Sequence, residues 1–74
     1  MPRLPRMNGR KFVKVFQKIG WVQTRQSSSH IILVREGHPA TLSVPDHKEV
    51  AVGVLRSLIR SAGLTVDEFV DAAK

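Results

Sequence analysis

Cysteine is absent from the 74 residues, and aromatics make up only 5% of them. Without cysteine, neither a disulfide framework nor a thiolate zinc site can staple so short a chain. Its one small core must hold by packing, or partly through a partner. So few aromatics cannot form an interleaved platform for stacking the bases of a single strand. Trp21 is therefore expected to anchor the core at a helix-to-strand corner. No apolar run approaches the length that crosses a bilayer. The basic start, Met1-Pro2-Arg3-Leu4-Pro5-Arg6, is followed by no apolar segment of the kind a secretory signal carries. A cytoplasmic protein without membrane contact is the expectation.

Acidic residues are also missing from the first half. Residues 1–35 hold Arg3, Arg6, Arg10, Lys11, Lys14, Lys18, Arg25 and Arg35 and no acid, a charge of +8; the remainder sums to −2, for a net charge of +6. A half of one sign attracts polyanions, by counterion release if the partner is nucleic acid. A solvated basic face that aids solubility is the plainer alternative.

Several chemistries lack their signatures. The chain has no Gly-rich phosphate loop, no paired carboxylates on a predicted rigid element and no cluster with metal-ligand spacing. His38 and His47 fall nine residues apart in two predicted loops, with Asp46 beside the second. Isolated loop histidines are more often solvated than ligating, so no metal and no small-molecule cofactor is expected.

The strongest positive signal is Ser27 to Arg35. Aliphatic and β-branched residues run from Ile31 to Val34 with polar residues on either side, which predicts a strand. Apolar residues at successive positions place it at the centre of a sheet, buried on both faces. Ahead of it, Asn8 is a fair N-cap, and Phe12, Val15, Phe16 and Ile19 recur at helical spacing with Gly20 as terminator. Trp21 to Gln26 reads as a first strand and Gln26–Ser29 as the turn after it. A turn at Glu36–Pro39 precedes a third strand, Ala40 to Val44, closed by Pro45. Val54 to Ala62 is a second amphipathic helix, with Leu55, Leu58, Ile59 and Ala62 as its stripe. Thr65 and Glu68 form a capping box for a short last helix bearing Phe69 and Val70.

The predicted order is α-β-β-β-α: an α+β fold with a three-stranded antiparallel sheet, two helices on one face, and a short C-terminal helix. The double-stranded-RNA-binding domain has the same order. Residues 1–7 are expected to form a flexible basic arm and residues 8–74 a single domain.

His30 stands out at the start of the central strand. Its structural reading is a half-buried edge histidine with a hydrogen-bonded ring. Its functional reading is a general acid–base, since imidazole with a reference pKa of about 6.5 can accept a proton at neutral pH. RNA carries its own nucleophile in the 2′-hydroxyl, so one histidine on a cationic surface suffices to cleave it without a metal. Ser29 is adjacent, but strand neighbours point to opposite faces, which argues against a serine nucleophile activated by His30.

The chain resembles the HicA-type (YcfA-like) mRNA interferase toxins of bacterial toxin–antitoxin systems. The resemblance rests on Ile19-Gly20-Trp21-Val22, Ser29-His30 before the central strand, Thr41-Leu42-Ser43-Val44-Pro45, and the helix from Gly53 to Leu64. Departures occur at Ser28, where glycine is usual, and at Ile31, where a second histidine is common. The resemblance implies a double-stranded-RNA-binding-like fold, ribonuclease activity on mRNA, and inhibition by a HicB-type antitoxin. It places the catalytic histidine at His30, with Ser29 supporting it. Lys11, Lys14, Arg25, Ser28 and Arg35 are the candidate RNA contacts. Two rival readings remain: a non-catalytic RNA-binding module on this fold, and a protein–protein adaptor meeting an acidic partner.

Overall fold

The computed structural model describes residues 7–27 and 29–73. Residues 1–6 of the basic arm expected at 1–7, and the candidate contact Ser28, lie outside them. Among the described residues the order is α1 (Gly9–Lys18), β1 (Val22–Gln26), β2 (His30–Val34), β3 (Leu42–Pro45), α2 (Val52–Ser61) and α3 (Val66–Ala73). The strands form one antiparallel sheet in the order β1-β2-β3. This is the expected α+β, double-stranded-RNA-binding-like fold.

Local sequence accounts for the helix ends. The Asn8 side chain accepts from the Lys11 N–H at 2.7 Å and starts α1. At the other end Gly20 takes φ +101°, which admits glycine readily. Its N–H donates to the Gln17 carbonyl, and the Trp21 N–H donates back to Phe16, a Schellman closure. The Thr65–Glu68 box is present in both directions: Glu68 N–H donates to Thr65 Oγ1 at 3.1 Å, and Thr65 N–H to Glu68 Oε1 at 3.0 Å. The helix it starts, α3, has eight residues, longer than the single turn its short apolar pattern suggests.

All three helices share one core with one face of the sheet. Phe12, Phe16, Leu55, Ile59 and Phe69 pack with Ile31, Leu33, Leu42 and Val44. Phe69 brings α3 against α1, its ring 4.8 Å from Phe12 and 5.5 Å from Phe16. Trp21 is buried, as expected, and its ring meets Phe16 edge-on at 5.9 Å.

Three expectations need correction here. The central strand is not buried on both faces: Ile31 and Leu33 are buried, while Ile32 and Val34 are half-buried and His30 is exposed. Every helix sits on the Ile31 side, so the run of aliphatics crosses a sheet covered once. His38 is also not a solvated loop residue. It is half-buried, its ring lies 5.0 Å from that of Trp21, and its Nδ1 accepts from the Ala40 N–H at 3.1 Å. Met7, counted with the arm by its sequence, is buried and bridges Val50.

Candidate functional site

The register determines which side chains meet. In β2 and β3, His30 opposes Pro45 and Ile32 opposes Ser43. These four lie on the open face. Ile31 and Leu33 oppose Val44 and Leu42 across the core face.

The pairing of β1 with β2 contains an irregularity. Val22 opposes Val34 and Gln23 opposes Leu33, but Arg25 opposes Ile32 and Gln26 opposes Ile31; the register shifts between Gln23 and Arg25. Thr24 is the extra residue of a β-bulge, and its hydroxyl donates to the Ile32 carbonyl at 3.5 Å. One added residue inverts the facing of everything after it. Without it, Arg25 would follow Gln23 onto the core side. With it, Arg25 lies on the open face, diagonal to His30 at the roughly 7–8 Å typical of such neighbours.

The turn between β1 and β2 holds His30 from both sides. The Ser27 N–H donates to the His30 carbonyl at 2.9 Å. The Ser27 hydroxyl accepts from the His30 N–H at 3.2 Å and lies 3.3 Å from the same carbonyl. Ser29 is different: its Oγ is 3.0 Å from His30 Nδ1. This overturns the expectation that Ser29 and His30 face apart. Strand alternation does not reach Ser29, because it sits in a bend and β2 begins only at His30. The contact occupies Nδ1 and leaves Nε2 as the nitrogen for a substrate.

Asp46 is the residue that sequence reasoning left aside. Its N–H donates to the Ser29 carbonyl at 2.9 Å, extending the pairing of β3 past Pro45. Its carboxylate accepts from Arg10 Nε at 3.3 Å and from Gln26 Nε2 at 3.0 Å. One residue, through its backbone and its side chain, thus ties the start of α1 and the end of β1 to the turn before His30. Gly9 makes this approach possible. A Cβ there would overlap the Pro45 carbonyl oxygen, and its N–H donates to the His47 carbonyl at 2.9 Å.

The candidate cations do not converge. Arg25 shares the open face with His30. Lys14 lies on the opposite side of the sheet, in a groove between α1 and β1. Lys11 borders a shallow hollow with Met7, Asn8, Lys48 and Glu49. Arg35 follows the far end of β2, about 17 Å along the strand from His30. Its guanidinium lies beside Gly20, just past the C-terminus of α1, where the helix dipole favours a cation. The departure at Ile31 removes nothing from the open face, since Ile31 is buried in the core. Among the described residues, no three His, Asp or Glu side chains are grouped to hold a metal ion.

No helix among the described residues is long and apolar enough to cross a membrane. No curated protein matches the chain. Among solved structures, a chain of a toxin–antitoxin complex from Streptococcus pneumoniae is similar, with a TM-score of 0.69 and 29% sequence identity; the match covers 78% of this chain and 98% of that one. The family model of the HicA toxin of bacterial toxin–antitoxin systems matches residues 9–64. With more than half its length matched and the expected fold in place, the chain belongs to the HicA toxin family.

Proposed function

We propose that the protein is a metal-independent endoribonuclease that cleaves mRNA, with His30 as its proton-transfer group. The observation that carries the reading is the contact between Ser29 Oγ and His30 Nδ1, on an exposed histidine at the sheet end. The contact holds the ring in orientation, and in the tautomer whose Nδ1–H donates to Ser29 Oγ, Nε2 keeps its lone pair. Nε2 takes the proton of an RNA 2′-hydroxyl as that oxygen attacks the adjacent phosphorus. The bond from phosphorus to the 5′-oxygen breaks, and that oxygen leaves with a proton from solvent. A 2′,3′-cyclic phosphate and a free 5′-hydroxyl result. Arg25, on the same face, stabilises the negative charge that builds on the phosphate oxygens.

The family places the protein opposite an antitoxin, which we take to be of HicB type. Such a partner inhibits by covering the open face, where half-buried Ile32 lies next to His30 and exposed Val22 pairs with half-buried Val34 at the other end of β2. We place its action in the cytoplasm, where mRNA is available.

The test is RNA cleavage in EDTA by wild type and by His30→Ala of matched circular dichroism. Cleavage by wild type alone, leaving cyclic-phosphate ends, supports the reading. Equal behaviour of the two proteins would end it. RNA binding that is retained by both, without cleavage, would favour the binding-module alternative.

A further inference from the structure

The groove between α1 and β1 has the composition of a base-reading site. Arg10, Lys14 and Gln17 succeed one another at spacings of four and three along α1, so they form one ridge. Gln23 and Gln26 face them from β1, Gln26 brought to the same side as Gln23 by the bulge at Thr24. The groove is open and holds about 320 Å3; of its lining residues, Arg10 and Gln26 are both bonded to the Asp46 carboxylate. Val13 and Ile31 supply an apolar floor. Two cations, three carboxamides and an apolar floor match the three parts of a nucleotide: its phosphate, the hydrogen-bonding edge of its base, and the face of its base.

Gln26 adds direction. A carboxylate only accepts, so the amide nitrogen of Gln26 must be the atom that faces Asp46, 3.0 Å away. Its carbonyl oxygen is thereby kept as an acceptor. An acceptor takes an N–H from the exposed edge of an unpaired base, either the exocyclic amine of adenine or cytosine or the ring N3–H of uracil.

We propose that this groove binds one nucleotide of a single-stranded RNA, with the Gln26 carbonyl accepting an N–H from the base edge, and so anchors the RNA at a distance from His30. The inference deepens the RNA reading of the open face and rests on it. The RNA would run from the groove past Gln26 and over the Ser27–Ser29 turn to reach His30.

Binding of short 2′-O-methyl RNA homopolymers tests this with the intact wild-type chain, because these oligomers lack the nucleophile and stay uncut. The side-chain amide resonances of Gln17, Gln23 and Gln26 are followed by NMR together with the His30 ring. The expected result is that adenine, cytosine and uracil oligomers all move both sets. Gln26→Leu should weaken binding of all three by roughly fivefold, since the acceptor is lost. Lys14→Gln should weaken all three alike and reduce the slope of log affinity against log salt by about 0.7. If the His30 ring moves while the three amides stay still, the groove inference falls and the ribonuclease reading stands. If neither moves, both fall. If a polyglutamate peptide moves the amides as strongly as RNA, the groove is an acidic-peptide site and the inference is overturned.

Discussion

The helix-covered face and the open face of the sheet are made by the same three strands, yet their side chains answer to different demands. On the covered face, Ile31, Leu33, Leu42 and Val44 are at most 3% exposed, and each has a helix above it. On the open face, His30 and Ser43 are exposed and Ile32 and Val34 are half-buried. The first face is where hydrophobic burial stabilises the domain. The second contributes little to stability and is free to hold a titratable ring and a cation. Substitutions should therefore separate into two groups, those that unfold the protein and those that silence it.

The largest effect is expected from Phe69→Ala. This side chain is fully buried and is the contact of α3 with the α1 aromatics. Its loss should destabilise by about 3–5 kcal/mol, measured by urea denaturation. Against a total of roughly 5–15 kcal/mol for a domain, that leaves a marginal fold. A change under about 1 kcal/mol would show that α3 is dispensable to the core.

His30→Ala should behave in the opposite way. Cleavage should fall by about 10²–10⁴-fold, with the denaturation midpoint nearly unmoved because the ring is exposed. If stability falls as far as activity, the division between the two faces is wrong. Gly9→Ala lies between these cases. The added methyl would press on the Pro45 carbonyl and force α1 away from the end of β3. A loss of roughly 1–3 kcal/mol is expected, together with reduced cleavage, since Asp46 and the turn before His30 move with that junction.

The smallest effect concerns Asp46→Ala. Its pair with Arg10 spans 3.3 Å, and the Arg10 side chain is 76% exposed, so its removal should change stability by no more than about 1 kcal/mol. The consequence should appear in RNA binding: Arg10 and Gln26 lose their common anchor, and affinity falls by roughly threefold. A full loss of folding would place Asp46 in the structural group instead.

Much of this was readable before any coordinates. Asn8, Gly20, Thr65 and Glu68 act through bonds to residues within a few positions, so local sequence carries their role. The apolar stripes of α1 and α2 follow helical spacing and become the core. His30 could be singled out because a titratable ring next to an aliphatic strand is conspicuous by type alone. Other features were not readable because they depend on residues far apart in the chain. Asp46 looked like one loop acid among several; only the pairing of β3 with the turn brings it to Ser29, Arg10 and Gln26. His38 looked solvated until the loop after β2 laid it against Trp21.

By itself, then, the sequence determined the element types, their order, the helix caps, the apolar residues of the core and the family. Those follow from propensity, spacing and short-range hydrogen bonds. The tertiary structure decided which face each residue serves. Alternation along β1 from Val22 would put Gln23 and Arg25 on one face and Gln26 on the other; the bulge at Thr24 reverses the last two. Arg25 thereby joins His30, and Gln26 joins Gln23 beneath α1. The physical reason is that a bulge is a property of two paired strands, and no periodicity within one of them records it.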